Sequence, residues 1–373
     1  MTPSDRVSVV IPAYNAERTM DETLASVRRQ SHDELEIVVV DDGSTDGTAA
    51  IADRHAAEDA RIRVIRIANR GVAGARNAGV AASTAPFVAP VDADDLWHSD
   101  KIARQLAAIR QDDEVGFVYT FYRLMDAEGC VINSLGHVCE GRVFLRALLH
   151  NFVGNGSSLL IRRAALEEIG GYETDLRRRD AQGCEDFLLQ VLIARRWKVA
   201  CVPEYLTGYR YGSGSMSTNW DRMALSHRVM LEHVARRHPE TPPEVLAASE
   251  ALSRASLAVR RLHRLRPLGA VAELRRAMRL DAGAGARVAL GYGLHTARGI
   301  VSRRLARLHP PKPGQARHFH AFAPTEAPHR PKPPFLAGRI AALAPLEEAF
   351  FAAGGAAEER AFRHLPPSQR ALT

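Results

Sequence analysis

The sequence predicts an α/β fold in which a doubly wound, mostly parallel sheet is flanked by helices and followed by an all-α C-terminal region. Short apolar runs alternate with helical patterns through about residue 121. Beyond about residue 221 only helical patterns appear. Strands that alternate with helices are typical of a parallel sheet, in which ligands bind outside the carboxyl ends of the strands. Acidic clusters at those ends are therefore candidate functional groups.

The first predicted strand is the apolar run at residues 7–11, which Pro12 closes. Apolar runs of this length are typical of buried parallel strands, and apolar residues at helical spacing separate them. The predicted strands are 7–11, 35–40, 62–67, 87–91, 115–121, 159–161 and 199–202, and the predicted helices of this region are 16–29, 48–57, 72–82, 99–110 and 185–196.

The rest of the sequence predicts five further helices and a linker. The helical patterns lie at 221–238, 243–264, 268–279 and 286–308, and a final one covers 335–363. A Pro- and His-rich stretch between them predicts an extended linker. The sequence thus divides into a catalytic domain (1–220), a helical region (221–308), a linker (309–334) and a helical tail (335–373).

Composition predicts a cytoplasmic protein with a basic C-terminal part. Hydrophobic residues make up 46% of the 373 residues and charged residues 25%, which is ordinary for a globular protein. Residues 222–373 contain 25 basic and 11 acidic residues, a net charge of +14, whereas residues 1–221 carry −7. Four separated cysteines predict reduced thiols. We expect neither a signal peptide nor a membrane-spanning helix, because the chain lacks a basic segment followed by an apolar one and has no uncharged stretch of about 18 residues.

Four acidic clusters fall where predicted strands end: Asp41-Asp42, Asp92–Asp95, Glu185-Asp186 and, more weakly, Asp175. A divalent cation that carries a diphosphate needs oxygen ligands from separate loops, and a hydroxyl nucleophile needs a carboxylate base. In Asp92-Ala-Asp94, one carboxylate could accept a hydrogen bond from a ribose hydroxyl, and the other could bind Mg²⁺ or Mn²⁺. These clusters predict an enzyme that acts on a nucleotide-linked substrate.

Other motifs are excluded or stay open. Residues 41–47 resemble part of a calcium loop, but a strand precedes them and the twelfth position is Asp53. The glycines of residues 71–79 do not form a dinucleotide-binding fingerprint, and no P-loop occurs. Three alternatives remain: Arg76 is either a surface ion pair or a nucleotide contact, residues 209–217 are either a mobile lid or a linker, and Glu185-Asp186 could simply complement a helix dipole.

Taken together, the motifs resemble the family 2 glycosyltransferases of the GT-A fold over about residues 5–220. The resemblance implies an inverting reaction with a nucleotide-sugar donor, commonly a UDP-sugar. It implies that Asp186 is the catalytic base with Glu185 in support, and that Asp94 and Asp95 bind the metal. The implied nucleotide-sugar-binding residues are Pro12, Tyr14, Asn15, Asp42, Arg76, Asp92, Asp94 and Arg210. Many relatives carry a His near the Tyr-Arg segment, which this sequence lacks there, and Arg210 or the adjacent Ser-rich backbone could replace it.

The leading hypothesis is a metal-dependent glycosyltransferase that acts on a saccharide or lipid-linked acceptor in bacterial polysaccharide synthesis. The alternatives are a non-catalytic sugar-nucleotide-binding or scaffolding subunit, and a nucleotidyltransferase, which would need a Gly-rich loop where Pro12–Asn15 stands. The basic arm predicts peripheral binding to an anionic inner membrane face. Nucleic acid is not expected as a partner, because few aromatic residues alternate with the arginines. The residues expected at the membrane are Arg298, Ile300, Val301, Arg303, Arg304, Leu305 and Arg307.

Overall fold

The computed structural model describes residues 5–212, 216–282, 317–326, 347–348 and 350–352. Within them one mixed sheet forms the centre of the protein. Its strands are β1 (Val7–Ala13), β2 (Leu35–Asp41), β3 (Ile62–Arg66), β4 (Phe87–Pro90), β5 (Leu96–Trp97), β6 (Val115–Met125), β7 (Val131–Leu135), β8 (Leu159–Arg162) and β9 (Lys198–Arg210).

The strand order is β3-β2-β1-β4-β8-β6-β9-β5, with β7 paired to β6. The first four strands of this order are parallel, whereas β8 runs antiparallel to both β4 and β6. The register pairs Ala13 at the end of β1 with Asp41 at the end of β2. The loops that follow β1, β2 and β4 therefore emerge side by side at one edge of the sheet.

Helices cover both faces of this sheet. They are α1 (Met20–Arg28), α2 (Thr48–Glu58), α3 (Gly71–Ala81), α4 (Lys101–Ile109), α5 (Phe144–Leu149), α6 (Arg163–Glu168), α7 (Asp175–Arg178), α8 (Glu185–Ala194), α9 (Trp220–Arg237), α10 (Pro243–His263) and α11 (Pro267–Leu280).

Alternate residues of β1 face opposite layers, as the two-residue period of a strand requires. Val9 packs in the same buried cluster as Leu24 of α1 and Ile102 of α4. Val10 instead belongs to the larger cluster that contains Leu188 of α8 and residues of α9. Burial on both faces explains why the central strands are almost wholly apolar.

The predicted fold class is confirmed, and the structure corrects three details. The sequence predicts a strand only at residues 199–202, whereas β9 extends to Arg210. Tyr209 and Arg210 are therefore the last two residues of a strand. Glu185-Asp186 begins α8 after a loop and does not follow a strand. Asp175 starts the short helix α7, where it forms a 2.9 Å ion pair with Arg178.

The C-terminal residues contact the sheet more than the predicted linker implies. Within the range 309–334, residues 317–326 pack against the central sheet, because Phe319 is buried beside Leu96 and Met125. Glu347 of the predicted tail is also buried, and its carboxylate accepts a 2.6 Å hydrogen bond from the amide of Leu145. Across the described ranges no helix is long and apolar enough to cross a membrane.

The predicted helix at 286–308 lies outside the described residues, and so does most of the one at 335–363. The arginines and apolar residues expected at the membrane, between 298 and 307, fall in the first of these segments.

Candidate active site

The loops after β1, β2 and β4 open into a cavity of about 1320 Å³ that α8, α9 and α10 close from the other side. We call the wall formed by residues 12–19, 42–46, 69–76 and 92–94 the strand half, and the wall formed by residues of α9 and α10 the helix half. Every predicted site residue lines the cavity except Asp95: Pro12, Tyr14, Asn15, Asp42, Arg76, Asp92, Asp94, Glu185, Asp186 and Arg210.

The β1 loop presents Tyr14 to the cavity with 52% of its surface exposed. The next residue, Asn15, has a φ of 50°, a left-handed conformation that Asn tolerates better than most residues. Its side-chain oxygen accepts a 2.9 Å hydrogen bond from the amide of Thr45, while its own amide donates to Ser44 Oγ. These hydrogen bonds connect the β1 and β2 loops. The half-exposed ring of Tyr14 lines the cavity and is accessible to a ligand.

Asp42 connects the β2 loop to α3. Its two carboxylate oxygens accept hydrogen bonds from the amides of Arg70 and Gly71, at 2.6 and 2.8 Å. A carboxylate at the N-terminus of a helix satisfies otherwise unpaired amides and complements the helix dipole. Asp42 thus fixes α3, the helix that carries Arg76 into the cavity.

Arg76 is buried and pairs with Asp92, with 2.5 Å between a guanidinium nitrogen and the carboxylate. Burial disfavours its charge, but Asp92, Tyr172 and Asp186 more than compensate, so the pKa of Arg76 is raised above its ordinary value. The Nε of Arg76 is buried without a hydrogen-bond partner among the described residues. Of the two alternatives for Arg76, the structure supports the cavity position over a surface ion pair.

Asp94 faces the cavity, whereas Asp95 lies beneath it. Burial raises the pKa of Asp94 to about 6, with Asp92 adding to the effect and Arg210 opposing it. Asp95 is fully buried, and its carboxylate accepts hydrogen bonds from Ser157 Oγ and from the amide of Arg210, at 2.5 and 2.9 Å. Asp95 does not line the cavity, and this position favours a structural role for it over the expected metal-binding one.

The hydrogen bonds of Arg210 likewise favour a structural role over the expected phosphate contact. Its Nε donates to the carbonyl of Asp94 at 2.8 Å, and its other nitrogens bond the carbonyl of Ala127 and the carboxylate of Glu22. The guanidinium group thus holds the Asp92–Asp95 loop from behind. Glu22 also accepts a 2.8 Å hydrogen bond from His318. The side chains of Glu22 and Arg210 therefore connect residues 317–326, which we call the docked segment, to the Asp92–Asp95 loop.

Glu185 and Asp186 occupy the first turn of α8. Glu185 is buried and accepts a 2.8 Å hydrogen bond from the amide of Gly183. Burial raises the pKa of Asp186 to about 6, Arg76 opposes the rise, and Asp92 and Glu185 add to it. Gly156 lies between Arg76 and Asp186, where a Cβ would stand 3.2 Å from the guanidinium group and 3.6 Å from Asp186 Cβ. A glycine here lets these two side chains approach each other.

Sequence reasoning missed the helix half entirely. Its lining residues on α9 and α10 are Trp220, Met223, Ala224, His227, Ser249, Leu252, Ser253, Ser256, Leu257 and Arg260. The guanidinium carbon of Arg260 lies 3.2 Å from the centre of the Trp220 ring. The Gly154–Ser158 stretch precedes the predicted strand at 159–161 and supplies Ser157 and Gly156. Its clustering of small residues was the one available signal.

A divalent cation fits the oxygen donors of the strand half. Among the described residues no three carboxylate, imidazole or thiolate groups converge as a protein-only metal site. Two carboxylates, Asp92 and Asp94, do face the cavity. Mg²⁺ commonly uses one or two protein carboxylates and completes its shell with water and substrate phosphates. The donor set therefore suits a cation that arrives with a diphosphate.

Comparison with known proteins identifies the family. A family model described as "Glycosyl transferase family 2" matches residues 8–170. The Bacillus subtilis (strain 168) glycosyltransferase TuaG, named for teichuronic acid biosynthesis, is 31% identical over 234 residues, which cover 62% of this chain and 89% of TuaG. The chain belongs to glycosyltransferase family 2. It spans a smaller part of other relatives, such as 19% of an uncharacterized Rickettsia bellii glycosyltransferase that is 33% identical over 130 residues.

Two solved structures share the fold of this family 2 member. The mannosyltransferase PcManGT from Pyrobaculum calidifontis, in complex with GDP-Man and Mn²⁺, gives a TM-score of 0.54 at 23% identity and covers 83% of this chain and 90% of its own. Residues 1–349 of Staphylococcus aureus TarS, in complex with UDP-GlcNAc, give 0.53 at 17% identity and cover 78% and 92%. At these identities the similarity shows a GT-A-like fold.

Proposed function

We propose that this glycosyltransferase is metal-dependent and inverting, and that it transfers a sugar from a nucleotide-sugar to a saccharide or lipid-linked saccharide. The observation that carries the proposal is that Asp94 and Asp186 face one cavity, with the Arg76–Asp92 ion pair close to both. The teichuronic acid assignment of TuaG and the nucleotide-sugars bound by the two structural neighbours support the substrate classes.

In this proposal the strand half binds the donor. The Tyr14 ring stacks on the nucleotide base, flanked by Pro12 and Asn15, and a carboxylate oxygen of Asp42 accepts from the base. A carboxylate has about four acceptor sites, so the two backbone hydrogen bonds to Asp42 leave capacity for a ligand. Asp92 accepts a hydrogen bond from a ribose hydroxyl, and the ion pair with Arg76 keeps the Asp92 carboxylate oriented.

Mg²⁺ or Mn²⁺ would be held by Asp94 with Asp92 beside it. When bound, such a cation neutralises the charge that develops on the departing diphosphate. Arg210 positions Asp94 through its carbonyl but cannot coordinate the cation, because a guanidinium group is positively charged and only donates hydrogen bonds. The carboxylate of Asp92 disfavours ionisation of Asp94, and a cation would relieve that repulsion.

Asp186 acts as the general base. A carboxylate with a pKa of about 6 is mostly ionised at neutral pH yet basic enough to accept a hydroxyl proton. As Asp186 takes the proton, the acceptor oxygen bonds to the anomeric carbon from the face opposite the diphosphate. The bond from that carbon to the diphosphate oxygen breaks, and the configuration inverts. Glu185 supports the base by fixing the start of α8 through Gly183.

The test is a transfer assay with UDP-, GDP- and dTDP-sugars, Mn²⁺ and saccharide acceptors, with release of nucleoside diphosphate as the readout. Wild-type protein should turn over at least one donor, and Asp186→Asn should not. Asp113→Asn is the matched control, because this side chain is fully exposed and lies outside the cavity. Full activity of a folded Asp186→Asn protein would exclude the proposed base.

We also propose a cytoplasmic location with peripheral attachment to the inner membrane face. The support is the positive charge of residues 222–373 and the lipid-linked class of acceptor. The catalytic domain of residues 1–220 is proposed to act together with α9 and α10, since those helices line the cavity.

A further inference from the structure

The turn that joins α10 to α11 exposes the two most accessible large apolar side chains of the described chain. Leu265 is 89% exposed and Leu268 is 87% exposed. Leu262, at the end of α10, and Val271, in the next turn of α11, are also exposed. We call residues 262–268 the docking turn. Single exposed apolar residues are common, but several in one contiguous turn suggest a binding surface.

Leu265 is also unfavourable for its backbone conformation. Its φ is +56°, a left-handed conformation that is common for Gly and Asn but costly for a bulky side chain. Neither packing nor backbone geometry explains a leucine at this position. An exposed leucine at a strained position suggests that its side chain contacts something outside the chain.

The surroundings of the docking turn are strongly basic. Residues 262–280 contain one acidic residue, Glu273, which is buried and paired with Arg254, Arg261 and Arg276. The exposed arginines of this range are Arg264, Arg266, Arg275, Arg276 and Arg279. Apolar side chains surrounded by arginines complement the surface of an anionic bilayer, which offers both phosphates and an apolar interior.

We propose that the docking turn binds an anionic phospholipid surface. Leu265 and Leu268 insert at the boundary of headgroups and acyl chains, and the flanking arginines contact lipid phosphates. The surface is distinct from the basic segment at residues 298–307 expected from the sequence. Arg260, which lines the cavity, is only two residues before Leu262. Docking therefore brings the helix half next to the bilayer, where a lipid-linked acceptor could reach Asp186. The docking turn gives a specific surface to the peripheral attachment proposed above, and only the access of the acceptor to Asp186 rests on the proposed sugar transfer.

The experiment is vesicle flotation of the full chain with phosphatidylcholine alone and with added phosphatidylglycerol. Wild-type protein should float with the anionic vesicles and much less with the neutral ones. The double variant Leu265→Asn/Leu268→Gln should lose at least tenfold in partitioning without unfolding, because Asn tolerates the left-handed conformation. Arg264→Gln/Arg266→Gln should lose about tenfold to thirtyfold, and less at high salt.

Ile132→Gln is the matched control, since it removes an exposed apolar side chain from β7 and should float like wild type. Equal flotation with both lipids, or unchanged flotation of both double variants, would overturn the proposal. So would size-exclusion chromatography in which the leucine variant converts an oligomer to a monomer, because the turn would then join copies of the chain. No donor or acceptor is present, so the result is independent of whether transfer is observed.

Discussion

The two halves of the cavity differ in charge and in chemistry. The strand half presents five acidic side chains: Glu17, Asp42, Asp46, Asp92 and Asp94. The helix half presents none among the described residues, and its wall consists of aromatic, aliphatic and hydroxyl side chains with one arginine. Acids suit a cation with a diphosphate, whereas an aromatic ring with neighbouring hydroxyls suits a saccharide or an apolar group. The difference indicates that each half serves one of the two substrates.

Asp186 lies where the two halves meet. On one side it is close to Arg76 and Asp92 of the strand half. On the other side, the ring of the next residue, Phe187, stacks on His227 of α9 at 6.1 Å. A base at this junction can reach an acceptor in the helix half while the donor occupies the strand half. The predictions below test this division.

The largest effect is expected from Asp186→Asn, which removes the base without removing either wall. Transfer should fall by about 10²- to 10⁴-fold in kcat, the usual contribution of a general base. The dissociation constants of donor and acceptor, measured by calorimetry, should change little. A variant that loses donor binding as strongly as turnover would show that Asp186 belongs to the strand half alone.

Asp94→Asn and Asp95→Asn should distinguish a carboxylate that binds the metal from a neighbouring carboxylate that stabilises the fold. Asp94→Asn should weaken Mn²⁺-dependent donor binding by about tenfold or more, because a cavity-facing carboxylate is lost. Asp95→Asn should affect Mn²⁺ much less and should lower the melting temperature instead, since its bonds to Ser157 and Arg210 are buried. Titration of Mn²⁺ and thermal unfolding are measured on both. If the two variants lose Mn²⁺ affinity equally, Asp95 is a metal ligand as well.

The pH profile tests both carboxylates together. Asp186 is active when ionised and its pKa is about 6, so kcat/KM should fall tenfold for each pH unit below 6. Asp94 has a similar pKa, and protons compete with the cation there. The slope of log(kcat/KM) against pH should therefore approach two at low Mn²⁺ and one at saturating Mn²⁺. A slope that does not change with Mn²⁺ concentration would contradict metal binding by Asp94.

The strand half could be predicted from the sequence because its residues lie in short loops directly after apolar strands. Asp92 and Asp94 follow β4, and Asp42 follows β2, so the pattern fixes their edge of the sheet. The burial of Asp95 could not be predicted in this way. Its partners, Ser157 and Arg210, are 62 and 115 residues away, and only the tertiary fold brings them beneath the cavity.

The helix half and the docked segment gave no recognisable signal for a different reason. Small and aliphatic residues at helical spacing, as on α10, are the ordinary pattern of packed helices. Residues 317–326 lie in a Pro- and His-rich stretch, which is typical of linkers. Docking depends on Phe319 finding a site between Leu96 and Met125. That complementarity belongs to distant strands and is not encoded near Phe319.

Trp220→Ala should affect the acceptor and spare the donor. Loss of one aromatic contact is worth about 1 kcal/mol, so the KM for acceptor should rise about fivefold to tenfold. The donor dissociation constant should stay unchanged, because Trp220 belongs to the helix half. Trp220→Phe should restore most of the acceptor affinity. Kinetics at varied donor and acceptor concentrations measure both, and a rise in donor KM alone would reverse the assignment of the halves.

The smallest effect is expected from His318→Ala, which tests how the docked segment supports the strand half. His318 bonds Glu22, Glu22 bonds Arg210, and Arg210 holds the carbonyl of Asp94. The contact between His318 and Glu22 is partly exposed, and such contacts contribute about 0.2–1 kcal/mol, so Mn²⁺ affinity should fall by up to about fivefold. His320→Ala removes a second imidazole of the same segment, which lies 3.5 Å from a guanidinium nitrogen of Arg29, and the variant should bind Mn²⁺ like wild type. If both variants lose affinity equally, the segment acts by packing around Phe319, and the chain of contacts through Glu22 does not position the Asp94 loop.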